Sequence, residues 1–107
     1  EIDIFESAAL TYNDPTLTET AVKSLKKALG ENQVVEMKAV TGAEDFSYYG
    51  TKAPAFFFFL GGMPKGQNSS QAPPHHTADF YVDNSGMPAG VKSLCNLVVD
   101  YLSTASK

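Results

Sequence analysis

Apolar positions along the chain change period several times, and each period predicts an element. Leu17, Ala21, Leu25, Ala28 and Leu29 recur at helical spacing, so one face of a helix is apolar from its first turn to its last. Asp14 supplies a side-chain oxygen for the free amides of the first turn, Pro15 fits the first helical position, and Gly30 suits the left-handed residue that ends a helix. Lys23, Lys26 and Lys27 fall on the outer face or near the negative end of the helix dipole. A last helix is predicted from Asp83 or Asn84, with Met87, Val91, Leu94, Val98 and Leu102 as its inward stripe and Pro88 tolerated in its first turn.

Three stretches read as strands. "IDIFESA" (2–8) alternates apolar and polar positions, and "QVVEMKAV" (33–40) is rich in β-branched residues. "AFFFFL" (55–60) leaves no side for water, which predicts a central strand covered on both faces. "TGAEDFSYYGTK" begins with a turn at Gly42 and predicts a short helix closing near Gly50, while Gly61 to Pro74 reads as a long surface loop. Strands alternating with helices predict an α/β fold, a sheet flanked by helices.

The length of 107 residues points to one domain, and 43% hydrophobic residues with 11% aromatics point to a folded chain. No apolar run is long enough to cross a bilayer, so no membrane partner is expected. A net charge of −4 without a Lys/Arg-rich face argues against nucleic acid. Cys95 is alone, so it forms no internal disulfide, and it reads as a small buried hydrophobe on the last helix. The opening "EIDIFES" reads as text from the middle of a protein and suggests a piece of a longer enzyme. The compartment is left open, with the cytoplasm slightly favoured over a secreted or periplasmic setting.

Side chains with chemistry gather where the predicted strands end, which is where open α/β sheets hold ligands. At the first exit, Gly42 would let the backbone approach a partner closely, and Glu44 and Asp45 place two carboxylates at a helix start. They read either as caps of that helix or as groups lining a cleft. The second exit delivers His75 and His76, the chain's two histidines. Neutral imidazole is a common metal ligand, but adjacent imidazoles project in different directions, so one of the pair at most faces a given site. The pair is either one ligand of an incomplete set or the end of a loop, and no other metal-ligand spacing accompanies it. A nucleophilic cysteine is not expected, because Cys95 is placed beside the apolar stripe.

"NDPTLTE" (13–19), "GAEDFSYY" (42–49), "PAFFFFLG" (54–61) and "HHTADFYVDNSGMPAGV" (75–91) resemble, in order and spacing, the C-terminal part of the metal-dependent aminoacylase and carboxypeptidase family. That family includes hippurate hydrolases and amidohydrolases of N-acyl and indole-acetyl amino acids. The resemblance implies a zinc-peptidase α/β catalytic domain interrupted by a lid, with residues 1–10 as the last strand of the lid or dimerisation domain and 11–107 as the C-terminal segment of the catalytic domain. It implies a divalent cofactor of one or two ions and an N-acyl amino acid or small peptide as substrate. A lone imidazole suits zinc, manganese, nickel or cobalt alike, and apolar surface along "AFFFFL" that a missing half would cover predicts self-association into a homo-oligomer. The family's closing pattern, histidine, any residue, proline, any residue, phenylalanine, falls on His76 to Phe80, which makes His76 the metal-ligand position and His75 an extra neighbour. Ala78 departs from the family's proline. Gly42, Glu44 and Asp45 fall in the family's acidic block beside substrate. The remaining ligands and the glutamate base would lie in a half that this sequence does not contain, so the chain alone is expected to be inactive. The alternative is a freestanding binding module, or a relative of the family without metal.

Overall fold

The computed structural model describes residues 2–3 and 7–105. Helix α1 (Pro15–Leu29) has the ends its sequence predicts: the Asp14 carboxylate accepts from the Leu17 amide at 2.8 Å, and the Gly30 amide donates to Lys26 O at φ +103°. Its buried residues are Ala21, Ser24, Leu25 and Ala28, on the expected face. Helix α2 (Ser47–Gly50) is one turn, and α3 (Met87–Ala105) follows a 3-10 turn at Asn84–Gly86 that Asp83 caps through the Ser85 amide.

The pairing of α1 with α3 is the main packing event, and Ser24 joins Asp100 across it. On α3 Ser93 is 1% exposed, flanked by the partly covered Ala89, Gly90, Leu97 and Asp100. The stripe expected to point inward lies outside: Met87, Val91, Leu94, Val98 and Leu102 are all at least half exposed, and Cys95, expected to be buried, is exposed as well. Ala21, Ser24 and Ala28 on α1 allow close approach and favour small partners, which turns the bulky stripe away.

The expected sheet does not form. Among the described residues there is no strand, and the chain is helices joined by irregular segments. Strands exist only through a neighbour's ladder, and among the described residues no two of the predicted segments pair with each other. Residues 33–40 run almost wholly exposed. The "AFFFFL" run, expected as a central strand, has a different partner on one edge. Asp14 N–H donates to Ala55 O at 2.9 Å, Phe57 N–H donates to Asn13 Oδ1 at 2.7 Å, and Asn13 Nδ2 donates to Phe57 O at 2.9 Å. Its rings still pair two residues apart, Phe56 with Phe58 and Phe57 with Phe59, but Phe59 is 57% exposed. The middle of the expected first strand lies outside the described residues, because Ile4, Phe5 and Glu6 are among those not described.

The result is a flat, open body of 54 × 38 × 20 Å with a radius of gyration of 16.4 Å, against roughly 13 Å for a compact domain of this length. Its surface of 9095 Å² likewise exceeds the roughly 5,800 Å² that a compact chain of 11.5 kDa presents. Long hydrophobic side chains on α3 and on the phenylalanine run remain in contact with water.

Candidate functional site

Both groups of candidate residues hang from the phenylalanine run. At its far end Gly62 O accepts from Asp83 N–H at 2.8 Å, which brings the two ends of the 62–83 excursion together. Leu60 is held against α3 at Gly90, where an added Cβ would stand 2.8 Å from Leu60 Cδ2. Inside the excursion the Tyr81 hydroxyl donates to Gln67 Oε1 at 2.9 Å, tying the outer loop to the segment that carries the histidines. A cavity of about 420 Å³ lies between loop and segment, lined mainly by apolar groups that include Leu60, Met63, His75, Phe80, Val82 and Met87. Its size falls in the range that admits small organic ligands.

The histidine turn is built locally. Thr77 Oγ1 donates to Pro74 O at 2.8 Å, and Phe80 N–H donates to Thr77 O at 3.2 Å. His75 packs on Phe80 with ring centroids 4.7 Å apart and planes tilted by 58°. His76 has φ +65°, and among the described residues it alone takes a positive φ without being glycine. The two imidazoles are 6.5 Å apart and diverge by 64°, so the doublet divides: His75 lines the cavity, and His76 is exposed outside it.

The acidic turn is built on α2. Glu44 O accepts from Ser47 N–H at 3.0 Å and Asp45 O accepts from Tyr48 N–H at 3.2 Å, while Glu44 Oε1 accepts from Phe46 N–H at 3.3 Å. The Glu44 carboxylate therefore caps the turn, as the simpler reading of the sequence has it. Asp45 and Gly42 are exposed, and no atom of the chain stands within 4 Å of where a Cβ on Gly42 would be, so the close approach expected there is not made within the chain. Phe46 fixes this turn to the phenylalanine run through Phe57, 5.3 Å between centroids. Tyr48 anchors its other side by donating to Ser7 O. Ser47 is buried and its hydroxyl has no partner among the described residues.

The phenylalanine run thus carries the acidic turn near one end and the histidine turn near the other. Among the described residues no hydrogen bond, ion pair or ring contact joins them directly. Nor do three or more His, Cys, Asp or Glu side chains gather anywhere in a way that could hold an ion. His76 offers one imidazole, and a protein-held cation needs about three ligands, so the donor set fits a single ligand and not a complete centre. Sequence reasoning missed Asn13, whose side chain does for Phe57 what a neighbouring strand would do. The preference of asparagine for backbone partners beside a turn is the signal that could have found it.

Comparison with known proteins adds what the geometry lacks. Residues 1–100 match Peptidase family M20/M25/M40. The chain is 33% identical over 92 residues to thermostable carboxypeptidase 2 of Saccharolobus solfataricus, covering 86% of this chain and 22% of that protein. It is 29% identical over 89 residues to the putative amidohydrolase YhaA of Bacillus subtilis, 83% of this chain and 22% of the relative. It is 30% identical over 92 residues to the IAA-amino acid hydrolase ILR1-like 4 of Arabidopsis thaliana, 86% of this chain and 20% of the relative. The chain therefore spans about a fifth of the length of the curated relatives it matches. No solved structure matches it significantly. With nearly the whole sequence matched and a third of the aligned residues shared with a curated relative, the chain belongs to Peptidase family M20/M25/M40.

Proposed function

We propose that this chain is a segment of a metal-dependent amidohydrolase or peptidase that cleaves the amide bond of N-acyl amino acids or small peptides, and that His76 contributes one imidazole to its divalent-cation centre. The family match over residues 1–100 carries this reading. The relatives' names speak of carboxypeptidases, an amidohydrolase and hydrolases of IAA-amino acids, all of which break an amide bond. Residues 1–10 belong to a lid or dimerisation unit in this proposal, and 11–107 to the catalytic unit.

The chain's own residues support the reading at two points. His76 is exposed at the tip of a turn, with its ring free of the apolar cavity that its neighbour lines, so its nitrogens are available. Glu44 and Asp45 stand exposed on a turn anchored to the same phenylalanine run, where they would flank substrate on the side away from His76. A divalent cation (zinc, manganese, nickel or cobalt) would supply Lewis acidity to such a centre. One imidazole does not fix a cation's geometry, so the remaining ligands and the base come from elsewhere in the proposed enzyme, and the chain alone is inactive.

The test is His76→Ala in a longer protein carrying this segment, read by metal content and by hydrolysis of an N-acyl amino acid. Loss of both is expected. Unchanged metal content and unchanged hydrolysis would overturn the assignment. Turnover of the same substrate by the 107-residue chain alone would overturn the claim that it is an inactive part.

A further inference from the structure

We infer that His75 is a positioning residue, whose ring, packed on Phe80, holds the turn in the shape that keeps His76 in its left-handed backbone conformation. The inference deepens the function proposed above by saying what presents His76, and it rests on that reading only for the use to which the conformation is put.

A side chain with a Cβ resists positive φ, so such a conformation persists only where the surroundings over-determine it. His76 provides no such constraint itself. Its ring is exposed and makes no hydrogen bond among the described residues, and its aromatic neighbour, His75, stands 6.5 Å away at the ring centroids. The constraint comes from the residues on either side. Two hydrogen bonds, Thr77 Oγ1 to Pro74 O and Phe80 N–H to Thr77 O, close the turn, but both lie in exposed chain where water competes for the same atoms. The remaining constraint is the His75 ring on Phe80, 4.7 Å between centroids, beside the cavity that Leu60 and Met87 also line. His75 and Phe80 are themselves exposed, Phe80 to 41%, but aromatic pairing of this kind gains from both area and ring geometry, and water offers no substitute for it.

Adjacency makes the contact effective. With the His75 ring held on Phe80, residues 76–79 close a short loop, which leaves His76 fewer φ values that join its two ends. The doublet is therefore divided in role as well as in direction: one imidazole serves as a packing ring, and the other is left free. A residue already held in the conformation it uses loses less freedom when it takes a partner.

The experiment uses the 107-residue chain without added metal. A residue with positive φ shows a strong intraresidue contact between its amide and α protons in nuclear magnetic resonance spectra, and His76 is expected to show it. His75→Ala and Phe80→Ala are expected to lose that signal, whereas His75→Phe retains it because the ring remains. The resonances of α1 and α3 report whether each variant is folded. If His75→Ala fails to fold, the unaltered chain decides. On warming, the ring-current shift of the His75 protons over Phe80 is expected to fade together with the His76 signal. Retention of the His76 signal in folded His75→Ala, its loss in folded His75→Phe, or independent fading of the two signals overturns the inference. All these readings are made without a cation, so failure of His76 to bind metal would sink the proposed function and leave this result standing, and the converse also holds.

Discussion

The Ser24 hydroxyl donates to Asp100 Oδ2 at 2.7 Å and so joins α1 to α3 at a point where Ser24 is buried. Lys27 Nζ reaches the other carboxylate oxygen at 3.4 Å. A half-covered carboxylate is thereby supplied with a donor from the buried side and a cation from the solvent side. Because the helix pair is the main packing in the chain, this is where its stability is open to solution conditions.

Acid is expected to loosen the helix pair. The Ser24 hydrogen bond, and after it Lys27, holds the Asp100 carboxyl below its ordinary value of 3.8. A carboxyl with a lower pKa in the folded state adds stability above its unfolded value, and that stability fades as pH falls through the folded value. Thermal melts followed by circular dichroism should therefore show a falling midpoint as pH drops below about 4. Asp83, held low by the Ser85 amide and hydroxyl, acts in the same direction at the start of α3. Asp100→Asn should lower the midpoint at neutral pH and flatten its fall in acid; an unchanged acid slope in that variant would assign the effect to other carboxyls.

Leu25 is 3% exposed and is the largest apolar side chain among the buried residues, the others being alanines. Leu25→Ala should cost about 2–3 kcal/mol. In a chain with so small a core that loss is a large share of the whole. Urea titration of helical signal should show α1 and α3 lost together. A loss under about 0.5 kcal/mol, the range of ordinary surface changes, would mean that the helix pair is not the stabilising unit.

How much of this was legible in the sequence follows from how local each signal is. The ends of α1 were legible because Asp14, Pro15 and Gly30 act within a turn of themselves, and its buried face because it is packed by the residues that repeat. The face of α3 was not. A periodic stripe states that one side is apolar, but the partner decides which side is covered, and here the side with Ser93, Leu97 and Asp100 is the one covered. The phenylalanine run failed for a related reason: its composition predicts burial in a sheet, yet a strand needs a second strand, and here Asn13 and Asp14 supply the bonds. In the candidate site, the capping by Glu44 agrees with one of the readings open to the sequence. The left-handed backbone of His76 and the packing of His75 on Phe80 depend on the turn from Pro74 to Phe80, which no residue type announces.

Exposed apolar side chains on α3 and on the phenylalanine run should make the chain self-associate. Val98 and Leu102 on α3, and Phe59 and Leu60 on the run, are near half exposed or more. Sedimentation velocity across a range of concentrations should show a rising mean mass. Phe59→Lys should reduce it without disturbing helix content, since a charge in an exposed apolar run opposes edge pairing. A single monomer peak at every concentration would show that these surfaces do not attract one another.

Asn13 bonds both backbone groups of Phe57, and neighbouring Asp14 both caps α1 and donates its amide to Ala55 O. The start of the helix and the anchoring of the phenylalanine run are thus one arrangement, and Asn13→Ala should separate them. The cap of α1 survives in that variant because Asp14 makes it, so helix content should stay near its original value. The Phe57 amide, having lost its acceptor, should exchange with deuterium faster by about tenfold, the equivalent of about 1.4 kcal/mol and within the ordinary worth of one hydrogen bond. Phe46 packs on Phe57 and carries the acidic turn, so the resonances of Glu44 and Asp45 should shift as well. Hydrogen exchange and amide shifts measured on the same sample check both outcomes. If Phe57 exchanges faster while the acidic turn does not respond, then the ring contact alone, and not the Asn13 bracket, holds that turn to the run.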